Sequence, residues 1–465
     1  MTTVQFNDAK YVAAKEIVAA LRREGHQAYF AGGCVRDLLL GVEPKDFDVA
    51  TSATPDVVMR MFPKTYSVGA HFGVVLVCTP GKDDREIATE VATFRHDGAY
   101  SDGRRPDAVR FSTDPREDVM RRDFTINGML LDPMVFQETG DAATATLDYV
   151  DGRNDLKARI LRAIGDPALR FNEDKLRMLR GIRFATRLSL DIELRTMTAI
   201  RATATEIGQV SSERIRDEMT LMLTEGHARR AFELLDETGL LVQVLPEAVR
   251  MHGVAQPPQY HPEGDVWVHT MLLLEKLKPG VPSTLAWGAL LHDIGKPATF
   301  RPPNPKKPDD RIRFDGHVEV GVRITEEILR RLRFSNEDTE QIVALVKNHM
   351  RFGDILQMRE STLKRFLRLP KFDEHLALHW MDVSSAHGDL RLYEFAKQHR
   401  ETTPVETISP QLLVTGKDLI AAGYRPGPTF KAMLDAAEDA QLEGHATTTE
   451  KGIAIVKQRF GEPLA

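Results

Sequence analysis

At 465 residues with 42% hydrophobic content, the chain is too long for one ordinary domain and has ample material for several cores. Its 62 Lys and Arg against 68 Asp and Glu leave a net charge of -6, so no global basic field announces a nucleic-acid partner, and any such partner must be held by local patches. Cys34 and Cys78 are too few for a disulfide framework or a cysteine zinc site; no apolar run approaches the ~18 residues of a membrane span, and the start lacks a charged-then-apolar signal pattern, so a soluble protein of the reducing cytoplasm with no membrane contact is expected.

Residues 1 to about 150 read as mixed α/β. Alternation and β-branched content predict strands at 28–31, 46–51, 73–78 and 86–94, with an apolar helix at 33–41 and another starting near Pro55. Gly98 to Asp107 is a loop by composition. From about 151 helical periodicity takes over, which places a boundary there. Between 159 and 187 basic residues far outnumber acids, while Leu176, Leu179, Ile182 and Phe184 recur at helical spacing; one face is core and another is basic, either solvated or a stripe for a phosphate backbone. A proline-containing stretch, Val254 to Pro262, leads into a histidine-bearing helical block. Inside that block Arg301 to Arg311, with Pro302, Pro303, Pro305 and Pro308, is a polar loop. There is no internal repeat and no Walker-type phosphate loop.

The chemistry-bearing residues begin at Gly32-Gly33-Cys34-Val35-Arg36-Asp37, followed by Asp46-Phe47-Asp48. Asp46 and Asp48, at i and i+2 on an extended segment, share a face and can hold a divalent cation; the glycines let the chain turn so that N–H groups at the next helix start face an anion. An Asp-x-Asp alone is usually a solvated strand end. The glycine turn upstream favours phosphoryl or nucleotidyl transfer instead. Further along, Glu173, Asp174 and Arg177 have spacings of three and four, so on one helix acids would brace Arg177. A fixed carboxylate beside a guanidinium complements a base edge with an amino donor next to a ring-nitrogen acceptor. Cytosine and adenine carry that edge, and guanine and uracil reverse it, a mismatch that costs several factors of ten in a buried site.

Thr93-Phe94-Arg95, Arg121-Arg122-Asp123-Phe124-Thr125-Ile126-Asn127, Asp151-Gly152 with Leu156, and Glu173-Asp174-Lys175-Leu176-Arg177 join the two opening motifs in order. Together they resemble the class II tRNA nucleotidyltransferase and bacterial poly(A) polymerase family. The resemblance implies an α+β chain: a DNA polymerase beta-type nucleotidyltransferase head (1–150), a helical neck and body with base-selecting and RNA-binding helices (151–255), then further helical domains. It implies that Asp46 and Asp48 are catalytic and hold two magnesium ions, and that Gly32, Gly33 and Arg36 contact the triphosphate. Arg122 and Asp123 would engage ribose or phosphate, and Asp174 with Arg177, supported by Glu173, would select the base. Asp37 and Arg121 are expected to orient their neighbours. The segment from Phe94 to Asp107 matches the family's pocket-switching loop. Ser212-Glu213-Arg214-Ile215 matches a structural element, with Ser212 as N-cap. Gly128 replaces an alanine common in relatives. The implied activity is template-independent addition of CCA to tRNA from CTP and ATP; poly(A) polymerase and partial C-C or A addition are the rivals within the class.

A second constellation comprises His269, His292-Asp293, His317, His349 and Asp382. It resembles an HD phosphohydrolase domain (256–395) followed by a helical tail (396–465), and Tyr260-His261-Pro262-Glu263 and Val268-His269-Thr270 match the version fused to tRNA nucleotidyltransferases. The implied metal set is His269, His292, Asp293 and Asp382, with His317 and His349 completing a second metal; such ligands suit a transition metal or magnesium. A rival of another class is a phosphohydrolase with a nucleotide-sensing head, and a third is a non-catalytic RNA-binding scaffold. In the tail, Lys417, Arg425 and Lys431 are solvated residues that could touch an RNA backbone.

Overall fold

The structure is a computed structural model that describes residues 8–69, 73–81, 85–98, 109–307 and 310–463. Most of the sequence-predicted loop at 98–107, and Pro308 of the polar loop, therefore lie outside the described residues. The chain divides into two compact units, Met1–Pro246 and Glu247–Ala465. The architecture is α+β, with the main sheet confined to the first unit.

The strands of that sheet are β1 (Ala28–Ala31), β2 (Asp48–Thr51), β3 (Thr65–Gly69), β4 (Val74–Pro80) and β5 (Glu86–Thr93). After a separate two-stranded ribbon of β6 (Arg95–Asp97) and β7 (Val109–Phe111), β8 (Leu130–Leu131) and β9 (Thr146–Leu147) complete it in the order β3-β4-β5-β2-β1-β8-β9. All neighbours are antiparallel except β2 and β5, which run parallel with Val49 opposite Val91. Side chains alternate across β1. Phe30 points to one face, where Tyr11 of the helix Ala9–Arg23, Phe47 and Phe136 surround one another with ring centroids 5.3–6.2 Å apart. Ala31 joins Ala50, Phe94, Val119 and Leu130 on the other.

Phe47 is the middle residue of the Asp-Phe-Asp motif, and its ring is buried in that aromatic cluster. An extended chain that buries one residue turns its two neighbours the other way, so the core sets the direction of both aspartates. The strand is shorter than the expected 46–51. It starts at Asp48, and Asp46 lies in the irregular segment before it, with its side chain 74% exposed.

Beyond the sheet the first unit is helical, stitched by the short parallel pair β10 (Ile160–Leu161) and β11 (Asp191–Ile192). One helix was expected to carry Glu173, Asp174 and Arg177, but there are two: Pro167–Glu173 and Leu176–Arg187. Asp174 lies in the break with extended backbone, φ -147 and ψ 106. Leu176, Leu179, Ile182 and Phe184 are buried, as their periodicity requires. The helix Ser212–Thr224 starts one residue earlier than expected: Ser211 is the N-cap, and Ser212 is already helical.

In the second unit the helix Ser283–Leu291 is apolar on every side and buried throughout, which makes it the central element. The helices Val266–Glu275, Asn336–Asn348 and Phe372–Ser385 pack around it, and His317–Arg331 packs on Asn336–Asn348. His292-Asp293 follows directly at its C-terminal end. Two satellite cores, one around Phe352, Phe366 and Phe372 and the other around Val414, Leu419 and Val456, support the remaining helices. In the tail, Thr415 and Asp418 form a capping box at the start of Gly416–Ala421. No helix among the described residues is long and apolar enough to cross a membrane.

Replacing Phe47 by Ala should cost about 3–5 kcal/mol of stability in the first unit. Denaturant unfolding followed by tyrosine fluorescence is the measurement, and a loss below 1 kcal/mol would mean that the aromatic cluster does not anchor the motif.

Candidate active site and candidate metal centre

In the first unit a cavity of about 510 Å³ is lined by Gly32, Gly33 and Arg36 from the opening motif, by Asp48 from β2, and by Arg121, Arg122, Asp123 and Asn127 from the segment before β8. Asp174, Arg177, Arg180, Arg183, Phe184 and Arg187 from the helical part close it. Motifs far apart in sequence thus face one space. Gly32 takes φ +76, a turn that requires glycine, and a Cβ there would also crowd an Arg122 nitrogen at 3.3 Å. Arg36 is buried and held on both sides: Asp37 accepts two of its N–H groups at 2.7 and 2.8 Å, and Asn127 accepts another at 2.7 Å. Asp118, also buried, accepts from Arg121 at 2.6 Å and from Arg122 at 2.9 Å, and their cations hold its pKa below the usual value despite burial.

The two aspartates of the Asp-Phe-Asp motif are in unequal settings: Asp48 lines the cavity, and Asp46 does not. Asp48 is exposed at the cavity, yet the protein atoms crowded around it strip away part of its hydration: its pKa rises to about 6 through this desolvation first and then through Glu90; Arg122 opposes the rise and Asp46 adds to it. Glu90 lies on β5 beside Val91, the partner of Val49, so the parallel register brings it level with Asp48. Asp46 accepts from the Lys10 ammonium at 2.8 Å, which also donates to the Lys45 carbonyl at 2.7 Å. Carboxylates gathered this closely, one of them already carrying an ammonium, suit a divalent cation.

At the far end of the cavity each member of the Asp174 and Arg177 pair has its own brace. Arg214 donates to both Asp174 oxygens, at 3.2 and 2.7 Å, and the Leu176 N–H donates to one of them at 3.0 Å. Arg177 is held by Glu173 at 2.6 Å and by the Arg121 and Arg170 carbonyls at 2.9 and 3.1 Å. The expectation that both acids flank Arg177 is therefore corrected, because the helix break turns Asp174 away. Glu173 stands behind Arg177 and does not line the cavity. Asp123 accepts from Arg180 at 2.7 and 2.9 Å through one oxygen and from the Phe124 N–H through the other.

The basic stripe is not a solvated face. Arg183 is buried and paired with Glu218 at 2.7 Å and Glu225 at 3.2 Å, while the Phe184 ring lies 4.3, 5.2 and 5.5 Å from the guanidinium carbons of Arg183, Arg180 and Arg36. Sequence reasoning assigned no role to Lys10, Glu90, Asn127 or Arg180, placed Phe184 only in the core, and gave Arg214 only a structural role. Of these, Arg180 and Phe184 had a signal, since they extend the helical spacing that begins at Arg177.

In the second unit the predicted histidines converge. His269, His292 and Asp382 form one group with metal-ligand spacing, and Asp293, His317 and His349 form another. Each of His292, His317 and His349 donates Nδ1–H to a backbone carbonyl, of Ala289, Phe314 and Val346, at 2.9, 2.9 and 2.6 Å. A carbonyl only accepts, so Nε2 is left as a lone pair. All three Nε2 atoms are buried without a hydrogen-bond partner among the described residues, and they stand 3.2, 3.9 and 3.7 Å from Asp293. Buried lone pairs aimed at one carboxylate fit a metal ion. Gly295 permits the convergence, because a Cβ there would fall 2.1 Å from the His317 carbonyl.

Lys296, unassigned from sequence, forms an ion pair with Asp293 at 2.6 Å and donates to Gln256 at 2.7 Å. Burial opposes ionisation of Asp293, yet Lys296 and His292 hold its pKa well below normal. Burial likewise opposes charge on His269, but Asp382 and Glu263 raise its pKa to about 9, whereas burial drives His349 down to about 4. A cavity of about 1040 Å³ opens onto this cluster, with Tyr260, Arg311, Arg313 and Phe314 among its walls.

Three regions of the chain match known protein families. Residues 28–162 match the poly A polymerase head domain, 189–251 the probable RNA and SrmB-binding site of polymerase A, and 265–385 the HD domain. The CCA-adding enzyme of Bacillus pumilus is 30% identical over 450 residues, spanning 95% of this chain and 96% of that one. That of Geobacillus thermodenitrificans is 43% identical over 224 residues, 48% of this chain and 52% of the relative. Among solved structures, the Bacillus stearothermophilus CCA-adding enzyme in complex with CTP superposes with TM-score 0.71 at 26% identity, covering 97% of this chain and 98% of that one. The Thermotoga maritima enzyme complexed with tRNA_CCA shares the fold, with TM-score 0.56 at 17% identity over 98% and 97% of the two chains. With a relative matched from end to end, and with head, RNA-binding and HD regions in family order, this chain belongs to the CCA-adding enzymes, nucleotidyltransferases with a poly(A) polymerase-type head, here followed by an HD domain.

Proposed function

We propose that the chain adds C, C and A to tRNA 3′ ends from CTP and ATP without a nucleic-acid template, releasing pyrophosphate. The observation that carries this reading is the one cavity shared by Asp48, the anion wall of Gly32, Arg36 and Arg122, and the braced pair Asp174 and Arg177. Arg36 and Arg122, each tethered by a carboxylate, would receive the triphosphate, and Arg180 would hold Asp123 toward the ribose. Asp174 would accept the exocyclic amino group of cytosine or adenine while Arg177 donates to the adjacent ring nitrogen. Because separate partners hold them, neither relies on the nucleotide for its orientation.

Asp46 and Asp48, with Glu90 beside them, are the residues that would hold magnesium, two ions in this reading. Such a metal supplies a Lewis acid for the terminal 3′ hydroxyl and the α-phosphate. The division into head (1–150), neck and body (151–255), HD domain (256–395) and tail (396–465) follows the same reading, as does action in the cytoplasm, in keeping with two unpaired cysteines. The relatives with bound CTP and tRNA support the substrate assignment.

For the second unit the reading is a metal-dependent phosphohydrolase. His269, His292, Asp293 and Asp382, with His317 and His349, would hold a transition metal or magnesium; Lys296 and the basic cavity wall would receive a phosphate. His379, buried and stacked 4.2 Å from Phe352, completes that wall.

Transcripts of tRNA ending before the first C, after one C and after two, offered each NTP singly and together, should gain C, C and then A. Asp46→Ala should lower the rate at least ~10²-fold. Long A tails on unrelated RNA would favour a poly(A) polymerase, and activity that survives Asp46→Ala would remove Asp46 from the site.

Arg214→Ala, which touches no substrate in this account, should lower kcat/KM for CTP by about 10²-fold through loss of Asp174 positioning. An unchanged kcat/KM would mean that the brace is dispensable.

Phosphate monoesters and cyclic phosphates, tested with added magnesium, manganese and nickel, should be hydrolysed by the parent protein and not by His292→Ala. Equal rates in the two would leave the histidine block structural.

A further inference from the structure

We propose that Glu263 is the positioning carboxylate of the histidine cluster, with one of its oxygens orienting two imidazoles at once. The inference rests on the metal-site reading above and concerns a residue outside the HD match, which begins at residue 265. Glu263 Oε1 lies 2.6 Å from His269 Nδ1 and 2.9 Å from His261 Nδ1, and its side chain is 8% exposed. A carboxylate accepts, so both imidazoles carry a proton on Nδ1. His269 then turns Nε2 toward Asp382, at 3.0 Å, and toward Asp293, at 4.0 Å.

The other three histidines of the cluster have their Nδ1 protons taken by backbone carbonyls three residues earlier. His269 sits in the first turn of Val266–Glu275, where the chain enters from an irregular segment, and a side chain performs that task instead. The entry itself is pinned. Asp265 caps the helix by accepting from the Val268 N–H at 2.8 Å and also accepts from the Gly253 N–H at 2.7 Å, which sets where Glu263 lies. His261 fills the remaining side of Oε1 and lines the cavity, so it keeps Glu263 from swinging out.

Glu263, His261 and His269 could instead be read as ligands of an ion of their own, since their donor atoms lie within 4.8 Å of one another. The 2.6 Å contact argues against that: two donors on one ion at ~2.0–2.1 Å in tetrahedral geometry stand more than 3 Å apart. Hydrogen-bond spacing makes Glu263 the group that fixes a ligand rather than a ligand itself.

The test is a cobalt(II) titration of the full chain, read by visible absorption and equilibrium dialysis, with His292→Ala as the reference lacking the cluster. The parent protein should bind more cobalt than His292→Ala. Glu263→Ala should bind that additional cobalt 10- to 100-fold more weakly with an altered spectrum. Glu263→Gln keeps an acceptor without the charge; it should fall in between and keeps the test open should the alanine variant not fold, as judged by circular dichroism. Parent-like affinity and spectrum in both Glu263 variants would overturn the positioning role alone. A parent protein binding no more cobalt than His292→Ala would overturn the metal-site reading, and this role with it.

Discussion

The break between the helices Pro167–Glu173 and Leu176–Arg187 is the constraint on which the nucleotide site depends. A continuous helix would stack Glu173, Asp174 and Arg177 along one surface and pair them with one another. The extended backbone at Asp174 separates them, so that Arg214 holds the carboxylate while Glu173 and the Arg121 carbonyl hold the guanidinium. Two groups fixed independently form a rigid pattern of acceptor and donor. Two groups bonded to each other would have to part before meeting a base, at the cost of a charge-assisted hydrogen bond.

The same logic runs through the rest of the cavity. Asp118 holds Arg121 and Arg122, Asp37 and Asn127 hold Arg36, and Asp123 holds Arg180, while the Phe184 ring spaces three guanidiniums around itself. Cations gathered this densely repel one another unless each has a partner, and in the proposed reading an entering triphosphate would meet donors already in place. The histidine cluster solves a related problem with protons instead of charges. Each imidazole donates Nδ1–H to a fixed acceptor, so its metal-binding face does not depend on a tautomeric equilibrium.

What could be read along the chain follows the range of the interaction. The glycine turn at Gly32, the strand 28–31 and the buried stripe of Leu176, Leu179, Ile182 and Phe184 are local, and periodicity or turn chemistry exposes them. The members of the histidine cluster were legible because few residue types offer such donors, but their grouping was not: Asp293, expected with His269, His292 and Asp382, groups with His317 and His349. Arg214 on Asp174, separated by 40 residues, was not legible, since a guanidinium on a helix gives no hint of which acid it will meet. Glu90 enters only through the parallel register of β2 and β5, and Lys10 only because the first helix packs on the aromatic cluster. The misplaced start of β2 and the single helix expected across Asp174 share a cause. Propensity does not see a break that tertiary ion pairs stabilise.

The central claim is that Asp174 and Arg177 are the base reader. It is tested most directly by the ratio of kcat/KM for CTP over UTP on a tRNA lacking its terminal C, C and A, measured for the parent protein and for Asp174→Ala. The account predicts a ratio of several factors of ten that falls to near unity in the variant. A variant that loses rate but keeps the parent ratio would show that the discrimination resides elsewhere in the cavity.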